Sequence, residues 1–344
     1  MHARIGRVYF TPLFILIFLV STPALLRAET FDDSAVSQIS YPEWFNAGFL
    51  DLHEDLGAAM AEGKRGLMVL FTTEGCSYCD RFIRRSLGDP ELAARVRADY
   101  AAIGLEIFDD AEMTSPRGTP MPVKAFAEAE GVEFSPTLAF YGKDGERLLK
   151  VTGYQSPERF AMILDYLEGE ALREEPLRDY LRRRTPPPSD SVRAALKDDP
   201  LFASPPYQLD RSRIPAERAL LVIFERAGCA ECAEFHAQVL ALEEVRAALN
   251  AFEVVRLDSA DGAMPVIMPD GRKTTPARWF ADSAFTREPA LLFFDERGRQ
   301  VLATDALVAR QRLLNALGFV SERAYERGWT FQRYARSKGI ERLQ

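Results

Sequence analysis

The stretch Cys76-Ser77-Tyr78-Cys79 decides how this chain is interpreted, because a second Cys-x-x-Cys motif follows at Cys229-Ala230-Glu231-Cys232. Each motif is followed by a proline, Pro136 or Pro289, 60 residues after its first cysteine. Cysteines and prolines are therefore both offset by 153 residues, and the sequence contains only these 4 cysteines. A chain that keeps all its cysteines in this arrangement is best interpreted as using them for thiol–disulfide chemistry.

The offset of 153 residues also relates other positions without a gap. Glycine, proline and aromatic residues fix backbone geometry and core volume, so repeated matches among them indicate a duplicated folding unit. The matched pairs are Phe71 and Phe224, Gly75 and Gly228, Phe82 and Phe235, Pro116 and Pro269, Gly118 and Gly271, Phe126 and Trp279, Phe140 and Phe293, and Gly145 and Gly298. We interpret the second half as a diverged copy of the first.

Hydrophobic patterning predicts the same order of elements in both units: strand, helix, strand, helix, hairpin, helix. The first unit begins with an additional helix that has no obvious copy in the second. The charged stretch between the units contains three consecutive prolines, 186–188, which favour an extended spacer. The predicted organisation is a signal peptide at 1–28, a first domain at 41–170, a linker at 171–204, a second domain at 205–320 and a helical tail at 321–344.

The N-terminal residues predict export. Arg4 and Arg7 precede an apolar run of 19 residues, 8–26, and Ala28 provides a small residue before a cleavage point at Glu29. An uncleaved membrane anchor is the alternative, because the run approaches the ~20 residues that span a bilayer. Both interpretations place the remainder outside the cytosol, and we expect a periplasmic location.

The charge of the chain argues against nucleic acid and anionic membrane surfaces as partners. The full sequence has 43 basic and 51 acidic residues, a net charge of -8; removing Arg4, Arg7 and Arg27 leaves 40 basic residues and a net charge of -11. No phosphate-binding loop, dinucleotide fingerprint or Ser-His-Asp arrangement is evident, and we expect no cofactor.

The chain resembles exported bacterial thioredoxin-like proteins, including the periplasmic thioredoxins associated with sulfur-oxidation operons. The residues that carry the resemblance are the stretch 73–79, Phe134-Ser135-Pro136-Thr137, and the Asp144-Gly145 turn followed by Gly153-Tyr154. The resemblance implies an α/β fold class with two tandem thioredoxin-like domains, each a central mixed sheet flanked by helices. It also implies cis prolines at 136 and 289 that face the active-site disulfides.

The positions of the cysteines predict their roles. Cys76 and Cys229 lie where a strand passes into a helix, so unpaired N–H groups and the helix dipole favour a thiolate and make them the nucleophiles. Cys79 and Cys232 lie one turn further along the helix and are predicted to resolve the mixed disulfide. Six residues before each nucleophile, where cytosolic thioredoxins carry a buried acid, this chain has Leu70 and Ile223. Its proton acceptor is therefore not identified by the sequence.

Residues next to the prolines complete the predicted sites. The backbone at Ser135–Pro136 and at Glu288–Pro289 precedes a strand, and we call each segment a proline edge. Both proline edges are predicted to bind extended substrates through their backbone groups. Glu231 and Glu288 place two carboxylates near Cys229, which predicts a higher thiol pKa there and a more reducing second pair, with part of the effect offset by Arg226.

The predicted function is a thiol–disulfide oxidoreductase that acts on protein thiols or disulfides, with a membrane-bound or periplasmic redox partner. The second domain is either another redox module or a substrate-binding relative. The alternative is a redox-inactive binding or metal-handling protein whose cysteines hold copper or zinc or stay as closed disulfides. His236, four residues after Cys232, is conceivable as a metal ligand, but we interpret it as a partly buried helix histidine, and we predict no metal site.

Overall fold

Two four-stranded mixed sheets organise the chain, which was analysed as a computed structural model. The structure describes His2 and residues 31–185, 199–283 and 285–342. The predicted signal peptide therefore lies outside the described residues, His2 excepted. None of the helices that the structure describes is long and apolar enough to cross a bilayer.

The first domain contains the sheet of order β4-β2-β7-β8, in which β2 and β4 are parallel and the other pairs antiparallel. Its strands are β1 (Val36–Ser37), β2 (Gly66–Thr72), β3 (Gly75–Cys76), β4 (Tyr100–Glu106), β5 (Glu112–Thr114), β6 (Pro120–Pro122), β7 (Thr137–Tyr141) and β8 (Arg147–Thr152). Its helices are α1 (Leu52–Ala61), α2 (Ser77–Arg85), α3 (Pro90–Asp99), α4 (Val123–Ala129), α5 (Pro157–Glu168), α6 (Ala171–Glu174) and α7 (Leu177–Arg184).

The second domain repeats this sheet in the order β10-β9-β13-β14. Its strands are β9 (Ala219–Glu225), β10 (Phe252–Asp258), β11 (Val266–Ile267), β12 (Lys273–Thr274), β13 (Ala290–Phe294) and β14 (Gln300–Thr304). Its helices are α8 (Ala230–Phe235), α9 (Glu243–Leu249), α10 (Pro276–Asp282), α11 (Arg310–Ser321) and α12 (Phe331–Glu341), with a π-helical turn at His236–Leu240 and a 3₁₀ turn at Ala324–Arg327.

The sequence explains why these elements form. The central strands β2 and β9 are continuous apolar runs because both faces of each are covered, and every residue of both is buried. Several helices begin where a side chain caps the first turn, as Asp89 does for α3 and Ser156 does for α5. The predicted fold class is confirmed: two thioredoxin-like domains, each with a mixed sheet flanked by helices. The bounds of β9, β13 and α11 follow those of β2, β7 and α5 at the offset of 153 residues.

The N-terminal part of the predicted linker is helical in the structure. Residues 171–184 form α6 and α7, and α7 buries Leu177, Tyr180 and Leu181 against the first domain. Apolar residues at helical spacing within this charged stretch account for the packing. The three prolines of the predicted spacer lie outside the described residues.

The predicted C-terminal tail packs against the second domain. Phe331 and Tyr334 are buried, and the ring of Tyr334 lies 5.8 Å from that of Phe319 on α11. Phe331 also packs against Phe134 of the first domain, with ring centroids 4.6 Å apart and the ring planes tilted by 36°. The aromatic residues of the tail therefore connect the cores of both domains.

The two domains contact each other through residues that are equivalent in the repeat. Gly153 and Ala306 are equivalent in the repeat, and a Cβ atom added at Gly153 would lie 2.5 Å from the Cβ of Ala306. Arg159 and Arg312, also equivalent, each reach the partner domain: Arg312 donates to the Ser135 carbonyl and Arg159 to the Thr286 carbonyl. Equivalent arginines therefore cross the interface in both directions, although the carbonyls that they reach, Ser135 and Thr286, are not equivalent in the repeat.

Candidate redox sites

Each first cysteine caps the helix that follows it. Cys76 and Cys229 have extended backbones, and their Sγ atoms accept the amides of Cys79 and Cys232 at 3.1 Å and 3.0 Å. Each pair is joined as a disulfide, with Cα atoms 5.3 Å and 5.2 Å apart. The same amide hydrogen bond would stabilise a thiolate when the pair is reduced.

The two cysteines of each pair differ in accessibility. Cys79 is 0% and Cys232 is 2% exposed, whereas Cys76 and Cys229 are partly exposed. Only the first sulfur of each pair is therefore open to attack from outside.

The predicted proline edges lie beside these sulfurs. The Ser135–Pro136 and Glu288–Pro289 bonds are both cis. The Glu288 carbonyl oxygen lies 3.8 Å from Cys229 Sγ, and Ser135 lines the same cleft as Cys76. The structure thus brings each predicted pair of cysteines together with its predicted edge, while the binding of substrate at these edges stays a prediction.

The second domain covers the first site. The Tyr78 hydroxyl donates to Asp33 and accepts from the amide of Ala309 at 2.9 Å, and the guanidinium of Arg312 lies 3.4 Å from the centroid of the Tyr78 ring. Burial raises the pKa of Tyr78 and lowers that of Arg312. Arg312 also donates to the Ser135 carbonyl at 2.7 Å, so its guanidinium lies against the proline edge.

The N-terminal segment closes the first site from another side. Strand β1 pairs antiparallel with β3, with Val36 opposite Cys76 and Ser37 opposite Gly75. The Asp33 carboxylate accepts the amides of Gln311 and Arg312 at 2.9 Å and 2.8 Å, at the start of α11. Asp33 therefore links Tyr78, which lies between Cys76 and Cys79, to helix α11 of the second domain.

The second site is more open. Ala230 and Glu231, between its cysteines, are exposed, whereas their equivalents Ser77 and Tyr78 are 7% and 4% exposed. Arg159 approaches from the first domain and donates to the Thr286 hydroxyl at 3.1 Å. Burial lowers the pKa of Arg159 to about 10, and Arg287 contributes in the same direction.

Arginines also surround Glu288, the buried carboxylate of the second site. Its Oε1 accepts from the Ser259 hydroxyl at 2.7 Å and lies 3.3 Å from Arg182 and 3.6 Å from Arg226. The sequence-based prediction of a raised Cys229 pKa allowed for Arg226 but not for Arg182, which lies beside the same carboxylate. Since two cations share its charge, we expect a smaller effect on Cys229.

A buried carboxylate that sequence reasoning missed lies at the end of β9. Glu225 is 0% exposed, and its Oε1 lies 2.7 Å from Nε2 of His236, one helical turn after Cys232. His236 thus contacts a carboxylate, and among the described residues no group of three or more His, Cys, Asp and Glu side chains could hold a metal ion. The equivalent of Glu225 in the first domain is Thr72, which shares a hydrogen bond with Tyr41.

The sequence contained one signal for the interdomain contacts. Arg159 and Arg312 are separated by the repeat offset, as the cysteines are. A repeated arginine near the start of a helix does not by itself indicate contact with the other domain. The role of Asp33 had no sequence signal, since it depends on how the N-terminal segment folds back.

Comparison with known proteins agrees with this geometry. The sequence profile of the thioredoxin-like domain matches residues 52–168 and 206–321, more than half of the chain. No curated protein matches the chain. Similar solved structures include a thioredoxin-fold protein from Helicobacter pylori (16% identity, 45% of this chain and 98% of that one, TM-score 0.35). A thioredoxin from Thermus thermophilus is 24% identical over 34% of this chain and 83% of its own, with a TM-score of 0.27. The C-terminal domain of DsbD from Neisseria meningitidis is 14% identical over 31% and 84%, with a TM-score of 0.23.

Proposed function

Since the chain belongs to the family of thioredoxin-like domains, with one match on each half of the sequence, we propose that it is an exported thiol–disulfide oxidoreductase with two redox-active pairs. The observation that carries this proposal is the repeated arrangement at both sites. A partly exposed first cysteine caps a helix, accepts the amide of a buried second cysteine and lies beside a cis-proline edge. Inert disulfides would not require the same exposed sulfur at both sites.

The proposed reaction begins at the first cysteine of a reduced pair. The Cys76 or Cys229 thiolate, stabilised by the helix amide, attacks a substrate disulfide and forms a mixed disulfide. The buried Cys79 or Cys232 then attacks the first cysteine, closes the intramolecular disulfide and releases the reduced substrate. Exchange in the opposite direction oxidises a substrate dithiol.

The two sites differ in the partners that they can reach. The exposed Ala230 and Glu231 leave Cys229 open to a protein surface, whereas the first site is covered by β1 and α11. We assign the exchange with a protein partner, membrane-bound or periplasmic, to the second pair.

The N-terminal sequence supports a periplasmic location. The basic residues, the apolar run and Ala28 have the order of a secretory signal peptide. Cleavage before Glu29 would retain Asp33, whose carboxylate caps α11.

Trapping of mixed disulfides tests the proposed function. The Cys79→Ser and Cys232→Ser variants should each accumulate mixed disulfides in an oxidising compartment, and Cys76→Ser with Cys229→Ser should accumulate none. The wild-type protein should also catalyse reduction of insulin by dithiothreitol. A protein without adducts or insulin reduction that carries stoichiometric copper or zinc would instead be the metal-handling alternative.

A further inference from the structure

A cleft of about 300 Å³ opens beside Cys76. One wall is the active-site loop with Ser135, and the opposite wall is formed by α11 and α12. The N-terminal segment at Asp33 and Val36 forms a third side. The volume is at the lower end of pockets that bind small molecules.

The covering elements exclude a folded protein from Cys76 in this arrangement. Strand β1 pairs with the backbone of Cys76, and Ser77 and Tyr78 are buried. An extended polypeptide that added to the proline edge would have to displace the buried Arg312 guanidinium, which donates to the Ser135 carbonyl at 2.7 Å. A compound that reaches Cys76 through this cleft is therefore small.

The cleft contains an unpartnered polar atom beside the reactive sulfur. Ser135 is 1% exposed, and its hydroxyl oxygen has no hydrogen-bond partner among the described residues. Buried hydroxyl groups are normally paired, because an unpaired one loses its bonds to water without replacement. A ligand with a polar group near its sulfur would supply the partner.

The charges around the cleft favour an anion. Arg312, Arg336 and Arg342 line it, together with the carboxylates of Asp33 and Glu74. Both oxygens of Asp33 already accept hydrogen bonds, from two amides and the Tyr78 hydroxyl. Arg336, on an exposed part of α12, forms a long ion pair of 3.7 Å with Glu106 and no hydrogen bond to it, so its N–H donors can turn to a ligand.

Building on the proposed function, we propose that this cleft binds a low-molecular-weight thiol or disulfide that carries carboxylates, and that this compound is the direct redox partner of Cys76. A ligand thiolate attacks Cys76 Sγ, a ligand–Cys76 bond forms, and the Cys76–Cys79 bond breaks with its electron pair moving to Cys79. A second ligand thiolate attacks the bound ligand sulfur and releases the ligand disulfide and the Cys76 thiolate. Two thiols are oxidised, two electrons enter the protein, and the two protons of the thiols are available to the new cysteine thiolates.

Reduction of the first pair by thiols of different charge tests the proposal. In the full chain carrying Cys229→Ser and Cys232→Ser, reduction of Cys76–Cys79 is followed by alkylation and mass spectrometry. The reductants are glutathione, neutral 2-mercaptoethanol and cationic cysteamine, compared at equal thiolate concentration. We expect glutathione to react about tenfold faster than 2-mercaptoethanol, with cysteamine slowest.

Two variants on one helix identify the site. Arg336→Gln should lower the glutathione rate about threefold and leave the 2-mercaptoethanol rate unchanged. Arg333→Gln, on the same helix but outside the cleft, should change neither rate. Redox-inert S-methylglutathione should bind the wild-type chain in calorimetry and bind more weakly to Ser135→Ala.

Each outcome decides between the two proposals. Equal rates for the three thiols, or equal losses in Arg336→Gln and Arg333→Gln, would overturn the assigned ligand while leaving the proposed oxidoreductase intact. Failure of every thiol, dithiothreitol included, to reduce the pair in the folded protein would overturn the redox function of the first site itself.

Discussion

Arg312 is expected to hold the first redox site closed, and replacing it tests this directly. Arg312 is 8% exposed, and its guanidinium donates to the Ser135 carbonyl at 2.7 Å and lies 3.4 Å from the centroid of the Tyr78 ring. In Arg312→Met the apolar stem and the helix propensity are kept, while the charge and the donors are lost.

The magnitude follows from these contacts. A hydrogen bond from a charged donor contributes about 1.5–3 kcal/mol, and a desolvated cation–π contact about 2 kcal/mol. Part of this is offset because Met has no charge to desolvate. We expect the interface to lose about 3 kcal/mol, which raises the population of the open form roughly 100-fold.

The assay compares a bulky and a small reductant of Cys76–Cys79 in a background of Cys229→Ser and Cys232→Ser. Reduction by a reduced thioredoxin should accelerate by up to ~100-fold in Arg312→Met, since the bulky protein reaches Cys76 only in the open form. Reduction by dithiothreitol should change much less. The control is Arg310→Met on the same helix, because Arg310 forms an exposed ion pair with Glu244 and such pairs contribute ~0–1 kcal/mol.

Equal acceleration with both reductants would refute the reasoning, because it would show a change in the disulfide itself rather than in access to it. Unchanged rates together with an unchanged melting temperature would show that Arg312 does not stabilise the interface.

Three further predictions concern other parts of the chain. Arg182→Gln removes a cation from beside Glu288, so the Cys229 thiol pKa should rise, and thiolate absorbance against pH measures it. The control is Arg183→Gln, because Arg183 pairs with Glu175 instead, and an unchanged pKa in Arg182→Gln would contradict the reasoning. His236→Ala leaves the Glu225 carboxylate buried without its partner, so the free energy of unfolding measured with denaturant should fall by about 3 kcal/mol, and adding Glu225→Leu should recover much of it. A loss below ~1 kcal/mol in His236→Ala would show that the pair does not stabilise the fold. Mass spectrometry of the exported protein should find Glu29 as the first residue, and a retained Met1 would favour the membrane anchor.

The repeated fold was predictable because its signals are local. The cysteines, prolines and glycines recur at a fixed offset, and the buried strands β2 and β9 are continuous apolar runs. Each signal reports the backbone or burial of its own segment, so tertiary packing does not have to be known.

The unequal covering of the two sites could not be predicted, because it depends on residues far apart in the sequence. Asp33 contacts α11 across an interval of 278 residues, and Arg312 reaches Ser135 across 177. The charge environment of Cys229 was only partly predictable for the same reason. The sequence displays Glu231 and Glu288 beside the cysteines, whereas Arg182 and Arg159 approach from the other domain.

The reduction potential of each cysteine pair tests the central claim most directly. The full chain, equilibrated in glutathione buffers and alkylated, reports the redox state of both pairs separately. Two redox-active sites predict that both titrate reversibly between about -120 and -270 mV, the range of catalytic dithiols. A pair that stays oxidised below about -300 mV, as structural disulfides do, would contradict a redox function at that site.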